Sequence, residues 1–171
     1  MRALVVYESL WGNTEQIDRA IAAELATKMD VEVVEAETAP VSLEGVDLLL
    51  VGGPTHAFSM SRSTTRESAV ADHDAPKSPR RGIREWLADL VLPHAMKAAT
   101  FGTRVNAPRL PGSAAKAAKQ ELRSLGAQMV VKQESFRVHG YEGPVIDGEL
   151  ERAAEWARSI VNAAMTGSVR A

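Results

Sequence analysis

Short runs of Leu, Val and Ala alternate along the chain with stretches whose apolar residues recur at three- and four-residue spacing. Ala3 to Tyr7, Val31 to Glu35 and Val46 to Val51 are of the first kind and predict strands. The unbroken run Leu48-Leu49-Leu50-Val51 predicts a strand covered on both faces, as in a parallel sheet layered by helices. After the first run, Ile17, Ala20, Ile21 and Leu25 form one stripe with Glu15, Asp18, Arg19 and Glu24 mostly off it, which predicts a helix lying on that sheet. A fourth strand is predicted from Ala98 to Thr103 and a fifth from Gln128 to Gln133, with an extension to Val138 left open. Between these two, Ser113 to Leu125 reads as a helix, with Ser113 near its N-cap and Gly126 just past its end. The last helix is expected to begin near Asp147 and to turn Leu150, Ala154, Ala157, Ile160, Val161 and Ala164 to the core. Strands alternating with helices predict an α/β layered domain, and right-handed crossovers restrict its topology.

Two segments break the alternation. Ala36 to Gly45 is short and interrupted by Pro and Gly, so this crossover is expected to be a turn or a single helical turn. Ser59 to Gly82 is rich in Ser, Thr, Arg, Asp and Pro with almost no large apolar residue, so it reads as a long polar loop or insertion of the kind that is either functional or disordered. Its cations, Arg62, Arg66, Lys77, Arg80 and Arg81, read better as a solvated face than as a site for a dinucleotide phosphate, a reductase or an anionic substrate. Trp86 and Trp156 each fall on a helical stripe and are assigned to packing. The chain contains no internal repeat.

Composition narrows the chemistry. A length of 171 residues with 45% hydrophobic content suits one domain with one core. A formal net charge of -2 offers no field to attract nucleic acid or an anionic membrane, and no apolar run approaches the roughly 20 residues of a membrane span. The absence of Cys excludes disulfides, thiolate metal sites and thiol nucleophiles. His73, His94 and His139 are scattered without metal-ligand spacing. Met1-Arg2 leads into strand residues and then Glu8 without a signal-peptide hydrophobic region, so the expected location is the cytoplasm.

The candidate chemistry sits where the first strand meets the first helix, at Ser9-Leu10-Trp11-Gly12-Asn13-Thr14. A strand-to-helix turn aims backbone N–H groups at an anion, and the helix dipole favours negative charge there. Ser9 and Thr14 add hydroxyls, Asn13 adds an amide, and Gly12 permits close approach of the backbone. The competing reading is a plain helix cap by Asn13 or Thr14. Neither a Gly-x-x-x-x-Gly-Lys loop nor a Gly-x-Gly-x-x-Gly fingerprint is present.

The same stretch resembles the signature of the flavodoxin family, in which a strand ending in an aromatic is followed by Ser or Thr, a small residue, Thr and a helix; here these are Tyr7, Ser9, Gly12 and Thr14. "LLLVGGPTHAF" resembles the third strand and first flavin-flanking loop of that family, and "ATFGTRVN" its fourth strand and second such loop. The resemblance implies a doubly wound five-stranded parallel sheet of order 2-1-3-4-5 with helices on both faces. It implies FMN as cofactor, its phosphate held by Ser9, Leu10, Trp11, Gly12, Asn13 and Thr14. Flavin-flanking positions are implied at Pro54, Thr55, His56, Ala57 and Phe58 and at Thr103, Arg104, Val105 and Asn106. These loops follow strands one, three and four. Open parallel sheets bind ligands at the carboxyl ends of their strands where the order reverses, and flavodoxin itself illustrates this rule.

The chain departs from the resemblance in two respects. His56 or Phe58 must take the place of the first flavin-stacking aromatic, and "GTRVNAPRLPG" offers no second one, which leaves the position of Trp11 over ring or helix edge open. Electron-transfer flavodoxins are strongly acidic, whereas this chain is nearly neutral and places Arg104 and Arg109 in the third loop. Positive charge there favours the anionic fully reduced flavin and two-electron chemistry. The expected function is that of an FMN-binding redox protein, either an electron carrier serving a redox partner protein or a small flavin oxidoreductase using an acceptor such as a quinone. The alternative is an interaction module on the same fold that has lost or weakened flavin binding. A phosphate- or nucleotide-binding response domain of similar topology is disfavoured, because Glu8 stands alone where such domains place an acidic cluster.

Overall fold

A computed structural model describes residues 1–166. The strand β1 (Arg2–Tyr7) runs through the middle of the sheet, with β2 (Asp30–Glu35) on one side and β3 (Leu48–His56) on the other, both parallel to it. Beyond β3 lies β5 (Lys97–Val105), again parallel. The outer edge is made by β6 (Gln128–Met129) and β7 (Glu134–Val138), both parallel to β5, and β4 (Ser59–Met60) folds back antiparallel onto β3. Setting aside the antiparallel β4 and taking the edge pair as one strand, the five parallel strands run β2-β1-β3-β5-β6/β7, the predicted order 2-1-3-4-5 of a doubly wound α/β fold.

Alternate residues of each strand enter different cores. Ala3, Val5, Leu48 and Leu50 face α1 (Asn13–Leu25) and α5 (Glu149–Thr166). Leu4, Val6, Leu49 and Val51 face α3 (Ile83–Asp89) and α4 (Ala114–Ser124). This explains why the central strands read as unbroken apolar runs, while the edge strand β2 leaves Val33 exposed. As predicted, Ala36 to Gly45 contains turns and no helix, and Ser113 caps α4 by accepting a hydrogen bond from the Lys116 N–H at 3.1 Å. Trp86 and Trp156 are buried, each giving its indole N–H to a backbone carbonyl, of Pro40 and Lys132 respectively.

Four expectations need correction. The segment Ser59 to Gly82 is not a loop throughout: it holds β4 and the helix α2 (Ser63–His73). The third strand does not stop at Val51 but runs to His56, and only Ala57 and Phe58, both at positive φ, make the turn into β4. The fifth strand is split. Between the Ala98–Met129 and Phe101–Glu134 pairs β5 advances three residues and the edge five, so a two-residue bulge intervenes. In α5 Ala157, Ile160, Val161 and Ala164 are buried as expected, but in the first turns Ala153 and Trp156 take the inward positions and Leu150 and Ala154 lie off the stripe.

Candidate functional site

The carboxyl ends of β1, β3 and β5 open into a cleft of about 270 Å³. Its floor is the turn from β1 into α1. Gly12 takes φ of 94°, a left-handed conformation that favours glycine, and starts the helix without a side-chain cap. The hydroxyl of Ser9 accepts hydrogen bonds from the N–H groups of Gly12 at 3.1 Å and Glu15 at 3.4 Å. The N–H groups of Leu10, Trp11, Asn13 and Thr14 find no protein acceptor among the described residues. Four donors at the positive end of a thirteen-residue helix are therefore without a protein partner, on residues that line the cleft. The plain-cap reading fails, since neither Asn13 nor Thr14 caps the helix. Thr14 Oγ1 lies 2.8 Å from Thr103 Oγ1 and ties the first loop to the third.

The second wall is the end of β3. Pro54, Thr55, His56 and Ala57 line the cleft, whereas Phe58 sits at the turn tip, 53% exposed and off the wall. Of the two candidates, His56 and Phe58, His56 alone lines the cleft. Its Nδ1 lies 3.0 Å from Thr65 Oγ1 in α2. Burial, reinforced by the charge of Arg66, lowers its pKa to about 4, so the imidazole is neutral at physiological pH. On the third side Thr103, Arg104 and Val105 line the cleft, while Asn106 is exposed beyond it and its N–H bonds the carbonyl of Val138. Arg109, at φ 58° in an exposed turn, is also off the wall.

Two further walls escaped the sequence reading. Thr65, Ser68, Ala69 and His73 of α2 close one side, and Tyr141, from the connection between β7 and α5, closes the mouth. Tyr141 stacks on His73 with ring centroids 3.9 Å apart and meets Trp11 at 6.3 Å. Beside Trp11 of the first loop, the cleft's aromatic lining thus comes from the segment after the fifth strand and not from the third loop. A signal existed: Tyr141 follows directly on the expected end of an edge strand whose carboxyl end points to the same side. Two donors of cleft residues, Trp11 Nε1 and Arg104 Nε, are buried without partners.

Beneath the cleft, Glu8 is buried and accepts from Ser61 Oγ and from the Ile83 N–H at 2.9 Å, so it fixes the start of α3. Arg66, also buried, donates to Ser61 Oγ at 2.8 Å and pairs with Glu85. Burial raises the pKa of Glu8, opposed by these hydrogen bonds and by Arg66. Among the described residues no group of three His, Asp or Glu side chains is placed to hold a metal ion, and no helix is long and apolar enough to cross a membrane.

No protein-family model and no curated protein matches the chain. Solved structures do. Oxidised flavodoxin 2 from Bacillus cereus is 22% identical with a TM-score of 0.70 and covers 95% of this chain and 99% of its own. The flavodoxin of Streptococcus pneumonia TIGR4, also 22% identical, has a TM-score of 0.68 over the same shares. Two-electron reduced Megasphaera elsdenii flavodoxin is 24% identical, with a TM-score of 0.60 over 91% of this chain and 97% of its own. The chain has the flavodoxin-like fold. In that fold the cleft described above lies at the reversal of strand order, between β1 and β3, where doubly wound sheets hold their ligands.

Proposed function

We propose that this flavodoxin-like domain binds FMN and serves as a redox protein, either an electron carrier or a small flavin oxidoreductase. The observation that carries the reading is the set of unpaired N–H groups of Leu10, Trp11, Asn13 and Thr14 at the start of α1, a donor set suited to a phosphate. The residues fit the group in other respects too. Trp11 Nε1 and Arg104 Nε are buried donors awaiting acceptors, and His56, Trp11 and Tyr141 offer ring faces around one cleft. In this reading Ser9 shapes the phosphate loop, Pro54 to Ala57 and Thr103 to Val105 border the ring, and Phe58 and Asn106 support the turns that carry them. The cofactor, when bound, supplies the electron chemistry; the chain holds it, limits water and sets the charge around it.

The second reading, an interaction module without flavin, draws on the His73–Tyr141 stack, which satisfies one face of Tyr141 within the chain. Thermal unfolding with FMN and, separately, riboflavin distinguishes the two. At 100 times its Kd, FMN should stabilise the protein by about 2.7 kcal/mol and raise Tm by roughly 5–10 °C, and riboflavin should do much less because it lacks the phosphate. Equal shifts would remove the phosphate cradle; no shift with either would favour the interaction module.

A further inference from the structure

A second concavity of about 270 Å³ adjoins the cleft and shares Arg104 with it. Its walls come from the end of β5, the start of α4 and the edge strand β7, which contribute Arg104, Lys116 and Arg137. Among the described residues no carboxylate pairs with any of these three side chains. Arg137 Nη1 donates only to the carbonyls of Val105 at 3.3 Å and Ala107 at 3.1 Å, and Arg104 donates to nothing. Glu134, the one carboxylate on the wall, is engaged by Arg152 at 2.8 Å. Three of the five cations of the long polar segment contrast with these: Arg66, Lys77 and Arg81 are paired with Glu85, Glu35 and Asp89.

Two guanidinium groups and an ammonium line one concavity here, and the nearby carboxylates are already engaged, Glu134 by Arg152 and Glu149 by Arg152 and the Arg137 N–H. Burial and the neighbouring Arg137 lower the pKa of Arg104, and burial together with Arg123, Lys116 and Lys132 lowers that of Lys119 on the same face. An anion entering the concavity relieves this repulsion and meets the guanidinium groups of Arg104 and Arg137 on its wall. Ser113 accepts from the Lys116 N–H and so keeps its own O–H for donation.

We propose that this concavity binds the phosphate or pyrophosphate group of a small-molecule ligand, between Arg104, Lys116 and Arg137. The concave shape favours a compact anion over the flatter face of an acidic protein. Because Arg104 borders both spaces, the rest of such a ligand can extend into the cleft. The inference does not depend on flavin binding.

The test is a 1H–15N NMR titration of the protein with pyrophosphate at constant ionic strength. Saturable shifts are expected at the amides of residues 112–116 and 133–137, and Lys116→Gln should raise Kd about tenfold, the worth of one charged hydrogen bond. Lys116 is exposed and its side chain makes no hydrogen bond, so this variant should fold even if Arg137→Gln, which loses two carbonyl contacts, does not. Shifts confined to residues 10–14, an unchanged Kd in Lys116→Gln, or a response to poly-glutamate but not to pyrophosphate would each overturn the proposal. Responses at residues 10–14 report the other anion site in the same spectra, so the two assignments stand or fall separately.

Discussion

Asp18 lies on the buried side of α1, beside Ile17 and Ile21, with no solvent exposure and with neither carboxylate oxygen hydrogen-bonded. Burial, then the charge of Glu15, raise its pKa from 3.8 to about 7, against a smaller opposing pull from Arg19. An acid whose folded pKa is raised keeps its proton in the native state while the unfolded chain has already lost it. Stability therefore falls as pH rises between about 4 and 7 on account of this group. Asp18→Asn should be nearly neutral at pH 4 and stabilising by roughly 2–4 kcal/mol at pH 8, measured by urea unfolding of both proteins at both pH values. The same difference at both pH values would refute a neutral buried carboxyl. At this scale the open turn of Ser9 to Thr14 was legible, because the strand end, Gly12 and the following helix are adjacent in sequence. The choice of His56 over Phe58 was not, since it depends on a two-residue turn with both residues at positive φ. Nor was Tyr141, which reaches the cleft only through the tertiary placement of the edge strand.

Among the elements, α2 is the one that hydrophobic periodicity could not reveal. Its buried residues are Ala69 and, unexpectedly, Arg66, so its inward face is marked by a cation that on sequence grounds reads as solvated. The helix is fastened by a polar chain running from Glu8 through Ser61 to Arg66 and Glu85. Removing one member of such a buried set leaves its partners unpaired, which costs about 3–5 kcal/mol. Arg66→Met should accordingly destabilise the protein by this amount. In native-state hydrogen exchange, protection should be lost first in α2 while β1 and β3 retain theirs. Uniform loss across the sheet, or unchanged α2 amides, would show that the chain of contacts does not hold this helix. Gly82 belongs to the same arrangement, because a Cβ there would overlap the Glu8 carboxylate and the Arg66 guanidinium. The central strands, α1 and α4 were readable because their signals are local: unbroken apolar runs, a striped face and an N-cap serine. The division of the last strand was hidden, because a bulge is a matter of register with β5 and the apolar content of Gln128 to Val138 does not encode it.

For the molecule as a whole, near-neutrality conceals an uneven distribution of charge. Arg2–Glu32, Lys77–Glu35 and Arg158–Glu24 pair on the surface, whereas Arg104, Lys116 and Arg137 are among the cations without a carboxylate partner and lie on one concavity at the edge of the sheet next to the cleft. If the cleft holds FMN, this one-sided field favours the added negative charge of the reduced flavin. That is opposite to what an acidic carrier would impose. His56, with a pKa of about 4, adds no positive charge between pH 6 and 8, so the effect falls to the arginines. Arg104 borders the cleft directly and is the nearest lever. With one charge acting across partly solvated space, its loss should be worth on the order of 1–2 kcal/mol, or about 20–40 mV for a two-electron couple. An equilibrium redox titration of FMN-loaded protein should therefore find a lower midpoint potential in Arg104→Gln, by more at low ionic strength than at high. His56→Gln at pH 7 should leave the potential almost unchanged. A potential unmoved by Arg104→Gln, or raised by it, would mean that the cationic edge does not act on the flavin and that its charges serve only the neighbouring anion site.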